Sequence, residues 1–184
     1  MIFFIFDLNS SYTCMTTKQL LLKEFEKRVF EESYERIYKC LSMIEERDLW
    51  RSPANNIPSI GNLILHMSGN ARQWILSGLG GKPDNRDRDQ EFVIQSNIKK
   101  SELIFLLQTL RANLRTVIED TDSSEITSSH SIQGFEVTGF SMIIHVIEHF
   151  SYHTGQITTL TKWLTQKNTD YYGDIDLNQL NKLN

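Results

Sequence analysis

The stretch that decides the fold is GFSMIIHVIEHFSYHTGQITTLTKWLTQ, Gly139 to Gln166. It holds no proline and no internal break, and Thr138 stands before it as a helix cap. A helix advances about 100° per residue, so a spacing of four nearly keeps the face. His145, His149 and His153 therefore form one stripe. Met142 and Leu160 share its direction, and Val146, Phe150, Ile157 and Leu164 flank it. The histidines thus lie in or beside the face that the helix buries.

A buried imidazole needs a polar partner. One metal ion cannot use all three, because His145 and His153 stand roughly 12 Å apart along the axis while metal–nitrogen bonds are about 2.0–2.1 Å. Either neighbouring pair can chelate, and His149 belongs to both. A third ligand must come from another helix. His66, in the middle of a second apolar block, is the helical histidine outside this stretch. It shares a face with Asn62, Leu63 and Asn70. That block carries no acidic residue, and no acidic cluster is evident to partner the imidazoles. The spacing points to one metal site built from His66 and two histidines of the last helix.

Outward from these two blocks, the pattern stays helical. A first block runs from about Thr17 to Asp48, with Leu22, Phe25, Val29, Phe30, Tyr34, Ile37, Leu41 and Ile44 at helical steps. RSPANNIP, Arg51 to Pro58, ends it. The second block runs from about Ser59 to Ser77 and stops at Leu79-Gly80-Gly81-Lys82-Pro83. A third runs from about Lys99 to Asp120, with Leu103, Leu107, Leu110, Leu114 and Val117 as its stripe. Strand signals are nearly absent, although Gln133-Gly134 marks a turn. A short link joins blocks one and two. About twenty residues join blocks two and three, enough to cross the length of a bundle and make those helices parallel. The expectation is an all-α four-helix bundle, up-down-down-up.

Composition agrees. The 184 residues are 40% hydrophobic and 23% charged, normal for one globular domain. A net charge of −4 argues against a general nucleic-acid binder. Two cysteines, Cys14 and Cys40, make no disulfide framework, which fits a reducing cytoplasm. No apolar run approaches the roughly 20 residues a membrane span needs. Residues 1–14 are expected to be peripheral, with residues 15–184 forming one domain and a short tail. HExxH, Glu-x-x-His, GxSxG, the P-loop and GxGxxG are all absent.

HMSGNARQW (His66 to Trp74) and EHFSYHTGQI (Glu148 to Ile157) resemble the DinB/YfiT-like metalloenzyme superfamily, in a branch of unknown function. Leu49-Trp50-Arg51, Ile60-Gly61-Asn62-Leu63 and PDNRDRDQEF (Pro83 to Phe92) agree with that branch. The resemblance implies a left-handed, up-down-down-up bundle whose metal ligands are His66, His149 and His153. It leaves His145 as a core histidine one turn away. Imidazole suits zinc, nickel, iron and copper, and one divalent ion, zinc or nickel, is the expectation. Such an ion would activate a low-molecular-weight thiol or water against a small-molecule substrate, and the resemblance places thiol transfer ahead of hydrolysis. Many relatives carry Arg where this chain has Thr154, so a role for that Arg does not carry over.

Asn70, His145 and Gln156 are the candidate catalytic residues beside the metal. The alternative is a non-catalytic, metal-stabilised bundle that binds a ligand or partner. Arg86, Asp87, Arg88 and Asp89 alternate in sign, a pattern that reads as a solvated loop; its agreement with that branch makes it a candidate to fold over something. A homodimer is expected from the resemblance and from the apolar residues on more than one stripe of the first block.

Overall fold

The structure, a computed structural model, describes residues 15–173 and 175–180. The segment expected to be peripheral, residues 1–14, lies outside the described residues. The chain is mostly helical, with four long helices packed about one hydrophobic core.

Helix α1 comprises Thr17–Phe25, a π-helical stretch Glu26–Ser33, and Tyr34–Met43. Thr16 caps it in a reciprocal box with Gln19. The π stretch widens the turn, so Phe25 and Phe30 meet edge to face at 5.5 Å although they stand five positions apart. Phe25, Val29, Phe30, Tyr34, Ile37 and Leu41 are all buried. The second apolar stripe is thus consumed by the chain's own core, which removes that ground for expecting a homodimer.

The helix ends at Met43, earlier than expected, because Ile44 turns to extended backbone. The Lys100 ammonium takes the freed carbonyls of Leu41 (3.3 Å) and Ile44 (2.7 Å). The Glu46 carboxylate accepts from the Lys100 amide at 2.8 Å. The end of α1 and the start of the third helix therefore satisfy each other's orphan groups.

Helix α2 spans Ile60–Ala71 and continues as a π turn, Arg72–Ser77. Ser59 caps it, in a reciprocal box with Asn62. Helix α3 spans Lys100–Asp120 and buries Leu103, Leu107, Leu110, Leu114 and Ile118. Val117, expected in that stripe, is only partly buried.

A short helix α4, Ser123–Thr127, leads to a hairpin of β1 (Ser129–Ile132) and β2 (Phe135–Thr138). The hairpin corrects the near-absence of strands read from the sequence. Its two-residue turn is the expected Gln133-Gly134, with φ of 51° and 81°. Two positive φ values match the right-handed twist of paired strands, which lets four-residue strands close tightly. Helix α5, Gly139–Thr165, follows directly and is capped by Thr138.

Contacts at the helix ends set the arrangement. The Gly61 amide donates to Leu49 O at 3.0 Å. The Trp50 indole donates to Ile98 O at 2.9 Å. The starts of α2 and α3 therefore both lie near the end of α1. At the far end Gly80 packs on the Val117 methyls and Gly78 on Met142. Among the described residues no helix is long and apolar enough to cross a membrane.

Candidate metal centre

Helices α2 and α5 face each other along two histidine-bearing stripes. On α2, His66, Asn70 and Trp74 follow at steps of four. On α5, His145, His149 and His153 do the same. The stripes mesh in layers. The His145 ring stacks on Trp74 at 3.9 Å, and His66 meets His149 at 4.8 Å and His153 at 4.9 Å between ring centroids.

His66, His149 and His153 each offer a ligand nitrogen, and these atoms lie within 4.8 Å of one another. That is close enough to hold one metal ion after small rotations. His145 is not in this group.

The hydrogen bonds decide which nitrogens remain available. His66 Nδ1 lies 2.8 Å from Glu91 Oε2 and donates to it. His153 Nδ1 lies 2.6 Å from Gln156 Oε1 and donates to it. Each bond fixes a tautomer whose Nε2 keeps a free lone pair. His149 Nε2 is buried and has no hydrogen-bond partner among the described residues. A buried nitrogen without a partner costs about 1–3 kcal/mol, and a metal ion is the partner that a three-imidazole cage supplies. The residues present fit a divalent ion with nitrogen-tolerant chemistry.

Charge agrees. Burial, then the imidazoles of His153, His145 and His66 and the Arg86 charge, pull the His149 pKa down to about 3. Burial also lowers His153, with the Gln156 bond opposing, and it lowers His145. His149 and His153 are thereby held neutral at pH of about 7, as metal ligation requires.

The crossover between α2 and α3 overturns the reading that no acid serves the imidazoles. Its 3-10 turn Asp89–Phe92 carries Glu91 inward to 7% exposure. Arg86 binds both carboxylate oxygens, Nε to Oε1 at 2.7 Å and Nη2 to Oε2 at 2.9 Å. Burial alone would raise the Glu91 pKa; the bonds from Arg86 and His66 win, and it is lowered. Gln73 Oε1 in turn accepts from Arg86 Nη1 at 2.9 Å. The Asn62 amide anchors the same turn by donating to Glu91 O and Val93 O, both at 2.9 Å. Gly69 is required here, because a Cβ would collide with the Glu91 carboxylate.

The candidate catalytic residues fall around the centre. Asn70 Nδ2 lies 3.0 Å from His145 Nε2 and donates to it. Gln156 holds His153. The half-buried His145 is clamped between Trp74 and Asn70 and stacks on His149 at 5.6 Å. Two exposed rings border the site: Phe92, 4.8 Å from His66, and Tyr152, 4.9 Å from His153.

Glu91, Arg86, Gln73 and Phe92 were not legible as site residues from helical periodicity, since three of them lie in or beside a loop. The available signal was the single glutamate in a long, charge-alternating crossover that follows the His66 helix.

Comparison with solved structures shows the same fold in DinB-like proteins. A DinB-like protein from Bacillus cereus superposes with a TM-score of 0.61 at 17% identity, covering 78% of this chain and 89% of that one. A DinB-like protein from Bacillus subtilis gives 0.61 at 13%, covering 83% and 97%. A conserved protein from Enterococcus faecalis gives 0.63 at 16%, covering 83% and 99%. At these identities the likeness concerns the fold alone. Comparison with curated proteins finds no match. Residues 17–173 match the family described as "Protein of unknown function (DUF1572)", and the chain belongs to that family.

Proposed function

We propose that this chain is a metal-dependent enzyme, a left-handed up-down-down-up four-helix bundle that holds one divalent ion, zinc or nickel, on His66, His149 and His153. The shared end of α1 with the starts of α2 and α3 supports the topology. The observation that carries the metal is the unpartnered, buried His149 Nε2 beside two histidines whose Nδ1 atoms are tied off.

Such an ion, held by three neutral imidazoles, keeps its full charge and lowers the pKa of a water or thiol that reaches it. The chain's own groups do the rest. Glu91, held by Arg86, fixes the His66 tautomer and the orientation of its ring. Gln156 does the same for His153 without adding charge. Asn70 and Trp74 fix His145 in the adjoining layer. The Phe92 and Tyr152 rings border the approach for a small substrate.

The test is a cobalt-substituted sample titrated with 2-mercaptoethanol. A thiolate-to-metal charge-transfer band is expected, because three protein ligands leave a position open. A site closed by a fourth side chain, with no exchange, would overturn the enzyme reading. Full cobalt uptake by a His149→Ala, His153→Ala double variant would overturn the ligand assignment.

A further inference from the structure

Two buried polar atoms in adjoining layers of the α2–α5 interface have no hydrogen-bond partner among the described residues: His149 Nε2 and Asn70 Oδ1. The first is accounted for by the metal reading. The second is not. Asn70 is 4% exposed, and its amide nitrogen is already committed to His145. That commitment turns Oδ1 away from His145. A carboxamide oxygen is an acceptor only, so what answers it must bring a hydrogen. Asn70 stands one turn from His66, and its partner His145 stands one turn from His149. The acceptor therefore belongs to the layer next to the three ligands.

We infer that Asn70 is a ligand-recognition residue, and that its Oδ1 accepts a hydrogen bond from the exogenous group taken by the three-histidine site. This rests on the metal reading and selects within it. Water, an alcohol or an ionised amide keeps a hydrogen on the atom that meets a metal. A thiolate sulfur keeps none. The site thus favours an O–H or N–H group over the thiol placed first by family resemblance.

The test uses the cobalt-loaded full chain and two probes, trifluoromethanesulfonamide and its N-methyl derivative. Once ionised, the first keeps one N–H and the second has none. The wild type is expected to bind the first about tenfold more tightly, the worth of one buried hydrogen bond. In Asn70→Leu, which removes the acceptor at similar size, that gap should vanish, while azide, which has no hydrogen, binds as in the wild type. Asn70→Ala replaces the leucine variant if the latter does not fold. Equal binding of the two probes by the wild type, or a gap that survives in the variant, overturns the inference. A preference for the N-methyl probe also overturns it. A wild-type chain that takes up no cobalt overturns the metal reading itself, and this inference with it.

Discussion

The Glu91 carboxylate accepts from His66 Nδ1 at 2.8 Å, although 25 residues of chain separate them. This one bond ties the crossover loop to the metal-binding helix. It makes the loop part of the site.

Replacing that carboxylate should weaken metal binding without unfolding the chain. Glu91→Gln keeps an acceptor for His66 but removes the charge, and outer-shell changes of this kind cost about 10–100-fold in metal affinity. Competition for zinc against a chromophoric chelator reads the change. Unaltered affinity would show that Glu91 serves only the loop.

Gly69→Ala should act through the same carboxylate. The new methyl occupies the place of the Glu91 carboxylate, so the Arg86–Glu91–His66 chain must move. A loss of about 1–3 kcal/mol in stability is expected for overpacking, with weaker metal binding. In a Glu91→Ala background the alanine should cost much less, since the collision is gone. Urea unfolding of both single variants and the double variant measures the coupling. Additive losses would contradict the collision.

The metal-free protein should lose stability on mild acidification. Burial and the neighbouring imidazoles hold the His149 pKa down to about 3, against 6.5 when unexposed to them. His145 and His153 are lowered in the same direction, first by burial. A lowered histidine pKa means that the unfolded chain takes up protons first. Stability should be level above pH of about 6.5 and fall as pH drops below it. A second decline follows below about 4.5, where the lowered Glu91 gains a proton more readily in the unfolded chain. Urea midpoints across this range check both windows. A His149→Gln variant should show a shallower first decline, and a wild type with no decline down to pH of about 5 would contradict the neutral buried imidazoles.

Gly134→Ala should destabilise the hairpin. At φ 81° a Cβ is strained, at a cost of about 1 kcal/mol or more. The turn also carries Gln133, whose Oε1 accepts from the Trp74 indole at 3.1 Å. Trp74 stacks on His145, so tryptophan fluorescence should shift along with the unfolding midpoint. A midpoint equal to the wild type would show that the turn absorbs the methyl.

The sequence alone determined the elements that obey a period. Helix α5 begins at Gly139 and α2 at Ile60, where Thr138 and Ser59 cap them, because caps and helical apolar steps are local signals. The same periodicity placed His145, His149 and His153 on one face of α5, and His66 on a face of α2 with Asn62, Leu63 and Asn70. Only the tertiary structure decided the rest. The π stretch of α1 is set by what its aromatic residues pack against, so the local pattern read as two stripes. Periodicity left the choice of His149 and His153 over His145 open; the family resemblance implied it, and its physical reason is the layer of α5 that meets His66. The inward turn of Glu91 depends on Asn62 and Gly69 of another element, since a charged loop residue is solvated unless distant partners hold it in.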